Sequence, residues 1–240
     1  LLKNAALCLS PAKITDQYLM ALGVSETQIC RIPFTSTKYK DLIPASELLS
    51  RKKEYKSKLN IENKFFILSV GQFIPRKGFD VLLRALPDIR DEVVVHIIGG
   101  SNIQPYRTIV RDLKLDNVVF HPFMSHDELA NFFRAADCFI LPTREDIWGL
   151  VVNEAMSYGL PVITTEKCVG GLELVEDGIN GFIVPHDDPE SITSSIKILL
   201  GDSSLSKKMC MNNTSFMTTY TTRDMARKHY TIFERFVYER

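Results

Sequence analysis

One ammonium group and two carboxylates stand at turns where short apolar runs end. Lys77 follows the apolar run 65–70, and Asp146 and Glu154 follow the run 138–141. Ammonium groups bind phosphate oxygens, whereas carboxylates accept hydrogen bonds from sugar hydroxyls. If the fold brings the two turns together, the three side chains could hold a phosphorylated sugar compound.

The first of these turns has a composition that suits a diphosphate. Gly71 and Gln72 are followed by Arg76 and Lys77, directly before a predicted helix. Glycine lets the backbone approach a ligand closely, and the start of a helix adds N–H groups and positive dipole. The two cations could equally be surface charges beside an ordinary turn. The spacing matches neither a P-loop nor a dinucleotide fingerprint.

The second turn combines an acidic loop with the start of a helix. Asp146 lies in the predicted loop, and Glu154 about one turn into the helix, where a carboxylate can bind both hydroxyls of a ribose. The backbone amides of Gly149, Leu150 and Val151 would point at the diphosphate. In the alternative interpretation, Asp146 caps the helix and Glu154 is a surface acid favoured by the helix dipole.

The elements that must position these side chains alternate between short apolar runs and helical periodicity. This alternation predicts an α/β domain, a Rossmann-like doubly wound parallel sheet with helices on both faces. Ligands of such folds bind beyond the carboxyl ends of the strands, where both turns lie. The predicted strands are 65–70, 93–98, 118–120, 138–141, 160–163 and 182–184.

The beginning of the chain has a different pattern. We predict that residues 1–44 are the tail of a preceding domain plus a linker at 35–44, and that residues 45–240 form a second domain. The opening segment looks faintly like a signal peptide, but we interpret it as a strand of a longer protein. The charged run 51–58 carries both signs, which favours a solvated helix face over a functional patch.

Composition excludes several classes of function. Lys plus Arg and Asp plus Glu both number 29, so the chain lacks the basic excess typical of nucleic-acid binders. Five cysteines without a C-x-x-C pair indicate neither a zinc site nor a redox pair, and they suit a reducing compartment. Neither a metal nor a cofactor is expected. No apolar run approaches the roughly 20 residues that a membrane-spanning helix needs.

Residues 146–163 closely resemble the sugar-donor motif of family 4 retaining glycosyltransferases, which have the GT-B fold. That motif has two Glu residues separated by seven positions and continues as Glu-Ala-Met-Ala-x-Gly-x-Pro-Val. Glu154 matches the second Glu, and Asp146 replaces the first. Residues 70–78 resemble the family's phosphate turn, with Gln72 where many members carry Arg. Segments 98–100 and 170–185 also resemble the family.

The resemblance implies that this chain is the C-terminal, donor-binding half of a GT-B enzyme whose N-terminal acceptor domain is largely missing here. It implies transfer of a sugar, of the hexosyl type, from a UDP-sugar or GDP-sugar to a carbohydrate or lipid-linked acceptor with retention. Lys77, helped by Arg76, would bind the diphosphate, Glu154 the ribose, and Asp146 the sugar. The implied setting is polysaccharide biosynthesis in the cytoplasm, with peripheral association at the inner face of the membrane.

Two alternatives stay open at this point. The domain could be a catalytically silent nucleotide-sugar-binding module or regulatory subunit. It could also be a nucleotide-dependent oxidoreductase, although the missing G-x-G-x-x-G weighs against that class. Whether the domain is half of an active glycosyltransferase or a silent nucleotide-sugar-binding module, we expect the 240-residue chain to bind a uridine or guanosine diphosphate weakly and to transfer little by itself.

Overall fold

The computed structural model describes residues 2–61 and 64–238, and the chain divides into two compact units. The first unit comprises Leu1–Leu42 and Phe216–Arg240, and the second comprises Ile43–Ser215. The first break falls close to the predicted boundary at residue 44. The C-terminal residues, which we had placed in the second domain, group instead with the N-terminal ones. Whether the units correspond to acceptor and donor domains stays a prediction.

In its described residues, the first unit contains two short parallel strands, two α-helices and three short 3-10 helices. Its strands and α-helices are β1 (Cys8–Ser10), α1 (Lys13–Ala21), β2 (Ile29–Arg31) and α11 (Thr222–Tyr238). Its two chain segments are tied by hydrogen bonds: the Thr222 N–H donates to the Thr37 carbonyl at 2.8 Å, and the Phe34 N–H donates to the Tyr220 hydroxyl at 3.2 Å. The predicted linker 35–44 is therefore anchored within this unit over at least part of its length.

The second unit is built around a six-stranded parallel sheet in the order β5-β4-β3-β6-β7-β8. Its strands read as near-continuous apolar runs because both faces of the sheet are covered. Ile67, Leu68, Phe139 and Ile140 at its centre are completely buried. The strands are β3 (Phe65–Val70), β4 (Val93–Ile98), β5 (Val118–His121), β6 (Cys138–Leu141), β7 (Val162–Thr165) and β8 (Gly181–Val184).

Helices connect successive strands, as parallel pairing requires. Two helices of this unit begin at side-chain caps. At α6 the Ser125 hydroxyl accepts from the Glu128 N–H, and at α9 the Asp188 carboxylate accepts from the Ser191 N–H. The helices are α2 (Ala45–Ser50), α3 (Lys52–Lys58), α4 (Phe79–Arg84), α5 (Gln104–Asp112), α6 (His126–Ala135), α7 (Leu150–Ser157), α8 (Val169–Leu174), α9 (Pro189–Gly201) and α10 (Ser203–Met217), which extends across the boundary between the units.

The predicted fold class is confirmed. The strands 65–70, 93–98 and 138–141 have the predicted bounds, and the strand predicted at 160–163 lies two residues later. The charged run 51–58 does form a helix, but the interpretation as a wholly solvated face is wrong for Lys52. Its ammonium group donates to the Ala136 carbonyl and is screened from water, and this burial lowers its pKa.

Candidate functional site

The sheet order places the candidate site at a topological switch point. From β3 the chain moves outward to β4 and β5, then returns to the other side of β3 to form β6, β7 and β8. The connections leaving the carboxyl ends of β3 and β6 therefore diverge and leave a crevice, which is where open α/β sheets bind ligands. These two connections carry Lys77 and Asp146.

Lys77 and Asp146 meet across this crevice. The Lys77 Nζ atom lies 2.5 Å from Asp146 Oδ2, although the two residues are 69 positions apart. Their side chains are only 13% and 12% exposed. The attraction within an ion pair that is screened from water is stronger than in a surface pair. This attraction holds both side chains in place. The structure thus joins two of the side chains that the sequence singled out.

Backbone hydrogen bonds fix the position of Asp146. Its N–H donates to the Lys167 carbonyl at 3.0 Å, and its carbonyl accepts from the Val169 N–H at 3.0 Å, so the loop runs alongside the start of α8. Asp146 Oδ1 also accepts from the Trp148 N–H at 3.3 Å. The carboxylate therefore contacts Lys77 with one oxygen and its own loop with the other.

Close packing of glycines brings the two connections together. Gly78 has φ of 67°, and a β-carbon there would lie 1.9 Å from the Pro142 carbonyl oxygen. At Gly71 the aliphatic carbons of Lys77 lie 3.5 Å from the position of a β-carbon, so the Lys77 stem covers this glycine. In this connection the left-handed backbone is therefore at Gly78, whereas Gly71 does not have a positive φ.

Glu154 lies on α7, which starts soon after the carboxyl end of β6. Its side chain is half-buried, and across residues 2–61 and 64–238 no group donates a hydrogen bond to its carboxylate. Burial raises the pKa of this carboxyl, and His126 opposes the shift by its charge. An unpaired carboxylate that is largely withdrawn from water is available to accept hydrogen bonds from a ligand.

The remaining predicted site residues surround the same crevice. Gly149 precedes α7 with φ of 77°, and Leu150 is exposed at the first turn, where an α-helix leaves its N–H groups without intrahelical partners. Gln72 and Arg76 are exposed, and the Arg76 guanidinium donates to the Glu145 carbonyl at 2.7 Å. Arg76 thus braces the acidic loop. Val151 is half-buried within the first turn of α7.

Sequence reasoning missed Arg144, which ties three segments together beneath the site. Its guanidinium makes a two-pronged contact with the Asp80 carboxylate at 2.8 and 2.9 Å, bonds the Pro75 carbonyl at 2.5 Å, and reaches Asp187 at 2.6 Å. These ion pairs raise the pKa of Arg144 above its usual range. The sequence offered one signal, a cation next to the acidic residues of the loop. The partners of Arg144, however, are 64 and 43 residues away along the chain.

Trp148 packs within the loop. The indole is 6% exposed, and its Nε1–H donates to Asn153 Oδ1 at 2.8 Å. Asp188 caps α9, since its side chain accepts from the Ser191 N–H. Within the described ranges, no three His, Cys, Asp or Glu side chains come together as a potential metal site.

The six-stranded parallel sheet and its switch-point crevice define a Rossmann-like domain of the GT-B type. The chain is a member of the glycosyl transferases group 1 family, whose model matches residues 51–215. A similar curated relative is a D-inositol 3-phosphate glycosyltransferase of Xylanimonas cellulosilytica, 36% identical over 145 residues. That match covers 57% of this chain and 34% of the relative.

Solved glycosyltransferases share the fold. Sucrose-phosphate synthase from Thermosynechococcus elongatus matches with a TM-score of 0.83 and 25% identity, over 100% of this chain and 60% of that one. Anabaena HepE in complex with UDP-glucose matches with a TM-score of 0.77 and 19% identity, over 97% and 64%. The chain therefore spans about a third of its curated relative and under two thirds of these structures.

Helix length and hydropathy also bear on the location of the protein. In the part of the chain that the structure describes, no helix is both long enough and apolar enough to cross a bilayer. The predicted cytoplasmic location and the predicted peripheral contact with a membrane stay predictions.

Proposed function

We propose that this chain is the donor-binding half of a retaining glycosyltransferase that uses a nucleoside diphosphate sugar. Lys77 binds the diphosphate, Glu154 accepts hydrogen bonds from the ribose hydroxyls, and Asp146 positions the sugar. The first-turn amides at Gly149, Leu150 and Val151 face the diphosphate. A UDP-sugar or GDP-sugar is the donor, and a carbohydrate or lipid-linked hydroxyl is the acceptor.

The observation that carries this proposal is the meeting of Lys77 and Asp146 at the switch point. A cation beside a carboxylate matches the two halves of a sugar diphosphate, because phosphate oxygens need positive charge and sugar hydroxyls need an acceptor. The unpaired, half-buried Glu154 follows on the helix that starts at the same edge of the sheet. This set of groups serves a nucleotide sugar better than a nucleotide alone.

In the proposed reaction, the bond between the anomeric carbon and the diphosphate oxygen breaks, and the acceptor oxygen forms the new bond to that carbon. The bonding electrons leave with the diphosphate, whose negative charge grows. Lys77 and the oriented amides stabilise that charge from fixed positions, which is how preorganised donors accelerate a reaction. The acceptor hydroxyl passes its proton to an oxygen of the departing diphosphate, and its oxygen bonds to the anomeric carbon on the face that the diphosphate leaves, so the configuration is retained.

The relatives support transfer over a silent binding role. The Xylanimonas relative is named a D-inositol 3-phosphate glycosyltransferase, and the Anabaena neighbour was solved with UDP-glucose. Nothing in the fold or the relatives favours the silent module or the oxidoreductase. Because the acceptor in this fold is held by the N-terminal domain, we expect the 240-residue chain to bind donor weakly and to transfer little alone.

Calorimetric titration of the chain with UDP, GDP, ADP, UDP-glucose and GDP-mannose tests the proposal. We expect saturable one-site binding of at least one of these compounds, and loss of that binding in the Lys77→Ala variant. Lys197→Ala, which removes an exposed lysine on α9, is the matched control and should bind normally. Absence of binding at millimolar ligand, or equal loss in both variants, contradicts the proposal.

A further inference from the structure

A second cavity, here called the amino-edge cavity, lies where the strands begin. The candidate donor site lies at the other side of the sheet, where the strands end. The amino-edge cavity has a volume of about 850 Å³ and is lined where strands begin, at Phe65 of β3, at Asp137 before β6 and at Pro161 before β7. Since the six-residue strand β3 spans about 20 Å, a ligand at Lys77 does not reach this cavity. The two places are separate.

Five lysines line the cavity, and they come from three parts of the unit. The helix α3 contributes three, the start of β3 one, and α10 one. The single carboxylate among the lining residues is Asp137. The lysines are Lys52, Lys53, Lys56, Lys64 and Lys207.

Asp137 forms an ion pair with one of these lysines. Its Oδ2 atom accepts from the Lys56 ammonium group and from the Phe66 N–H at 2.8 Å, so its partners are already in place. Lys56 also donates to the Lys64 carbonyl at 2.9 Å. The Asp137–Lys56 pair is therefore part of the wall, and the Asp137 charge also acts on Lys52. In the part of the chain that the structure describes, Lys53, Lys64 and Lys207 have no carboxylate partner.

Lys52 is the most enclosed of these lysines. Its ammonium group reaches the Ala136 carbonyl, and burial lowers its pKa; the Asp137 carboxylate opposes this shift, and the Lys56 charge adds to it. Lys53, Lys64 and Lys207 are exposed, and within the described ranges none of their ammonium groups has a carboxylate or carbonyl partner. Like charges gathered around one concave surface repel each other, and a bound anion relieves that repulsion.

The cavity also has apolar lining, because Leu49, Leu160 and Leu199 contribute to it. Apolar side chains and ammonium groups in one cavity suit a compound with an organic body and a multiply charged end. Lysine is a common partner for phosphate, which carries more charge in less space than a carboxylate. The volume falls within the range of small-molecule sites, roughly 300–1,000 Å³.

We propose that this amino-edge cavity binds a phosphate-bearing anion through Lys53, Lys64 and Lys207, with Lys52 at its inner wall. The ligand is a phosphate group attached to an apolar or organic body, either a free phosphate ester or the headgroup of an anionic phospholipid. The site is separate from the donor site and does not depend on the proposed transfer reaction. Phosphate-bearing compounds therefore have two sites on this unit.

Titration with inorganic pyrophosphate tests the cavity directly. The 240-residue chain carrying Lys77→Ala is used, so that the donor site contributes little to the signal. We expect saturable binding that weakens about tenfold or more when Lys53, Lys64 and Lys207 are all changed to Gln. Binding should also weaken steeply with added salt, because the contacts are between partly exposed charges.

The matched control changes three exposed lysines outside the cavity, Lys114, Lys197 and Lys208, to Gln. It alters the net charge equally, and we expect pyrophosphate affinity to stay within about twofold. A single pair, Lys207→Glu against Lys208→Glu on the same helix, repeats the comparison if a triple variant folds poorly. Equal losses in cavity and control variants, or no saturable binding at all, overturn the proposal.

Vesicles distinguish the two sources of phosphate. Sedimentation with phosphatidylcholine vesicles that contain phosphatidylglycerol, reversed by pyrophosphate and lost in the cavity variant, identifies a lipid headgroup. Pyrophosphate binding without sedimentation identifies a free phosphate ester. UDP-glucose affinity of the cavity variant with Lys77 intact should stay within about twofold of the unaltered chain, so failure of this proposal and failure of the donor proposal are distinguishable.

Discussion

Lys77 Nζ and Asp146 Oδ2 lie 2.5 Å apart and join the connections that leave two adjacent strands of the sheet, β3 and β6. In the proposed function, this pair places a cation and a carboxylate where the diphosphate of the donor meets its sugar. A donor that uses both groups must exchange part of this ion pair for its own contacts. The two residues should therefore respond differently to ligands with and without a sugar.

Replacing Lys77 with Ala should weaken binding of both UDP and UDP-glucose. The ammonium group is the charged donor at the diphosphate position, and a hydrogen bond to a charged group is worth about 1.5–3 kcal/mol, or roughly 10- to 100-fold in affinity. Calorimetry measures both dissociation constants. An unchanged affinity for UDP would remove Lys77 from the diphosphate site.

Replacing Asp146 with Asn should separate the two ligands. UDP should bind at least as well as before, because Lys77 loses its intramolecular partner and its charge is free for phosphate. UDP-glucose should lose about tenfold relative to UDP, since the carboxylate no longer accepts from the sugar. The ratio of the two dissociation constants is the readout. A ratio that stays constant would place the sugar away from Asp146.

Donor binding should weaken as the solution is made acidic. The pKa of Glu154 is raised by burial. Its ionised form offers acceptors on both oxygens and binds the two ribose hydroxyls more strongly than the protonated form, which uses one oxygen as a donor. Calorimetric titration with UDP-glucose from about pH 8 to about pH 5 should show the dissociation constant rising as pH falls towards the raised pKa. UDP-glucose suits this test because it has no terminal phosphate that titrates in the range.

The Glu154→Gln variant is the control for this pH dependence. It should bind UDP-glucose more weakly at neutral pH and lose most of the variation with pH. Because His126 acts on Glu154 by its charge, the His126→Gln variant must keep the pH dependence if Glu154 is its source. A profile that is identical with and without Glu154 contradicts the assignment.

The raised pKa of Glu154 also predicts that the free energy of unfolding depends on pH. A carboxyl whose pKa is higher in the folded chain than in the unfolded chain holds its proton more tightly when folded. Its stabilising contribution is full below the ordinary pKa of Glu and is lost as pH rises through the raised value. Glu154→Gln should therefore be more stable than the unaltered chain at neutral pH, as urea unfolding can measure.

Arg144 should contribute to stability rather than to the charge of the site. Changing Arg144 to Gln breaks its two-pronged contact with Asp80 and the bond to the Pro75 carbonyl, and leaves a partly buried carboxylate behind. We expect a loss of about 1–3 kcal/mol in the free energy of unfolding, less than for a fully buried pair.

Arg84→Gln is the matched control, because Arg84 bonds the same carboxylate from an exposed position on α4. Its loss should be at most about 0.5 kcal/mol, as for other exposed pairs one helical turn apart. Urea unfolding of both variants gives the comparison. Equal losses would mean that Arg144 does not brace the loops.

Strand positions could be predicted because they depend on local pattern. The buried strands of a parallel sheet are continuous apolar runs, so 65–70, 93–98 and 138–141 were placed correctly. The site followed from the rule that parallel strands bring their carboxyl ends to one edge. The order of strands, and hence the contact between Lys77 and Asp146, needed that rule together with the family resemblance.

Other features could not be predicted because they depend on contacts between distant segments. The Arg144 partners Asp80 and Asp187 are 64 and 43 residues away, and no periodicity connects them. The run 51–58 was interpreted as solvated because its charges are of both signs, yet the packing of α3 turns Lys52 towards the Ala136 carbonyl. The amino-edge cavity could not be predicted either, because its lysines come from segments such as the start of β3 and the helix α10, which only the fold brings together.

A crystal structure of the chain with UDP bound tests the central claim most directly. We expect diphosphate oxygens within hydrogen-bond distance of Lys77 Nζ, and both ribose hydroxyls against the Glu154 carboxylate, with the Lys77–Asp146 distance lengthened. UDP bound elsewhere, with Lys77 still held by Asp146 and Glu154 without a ligand contact, would contradict the account.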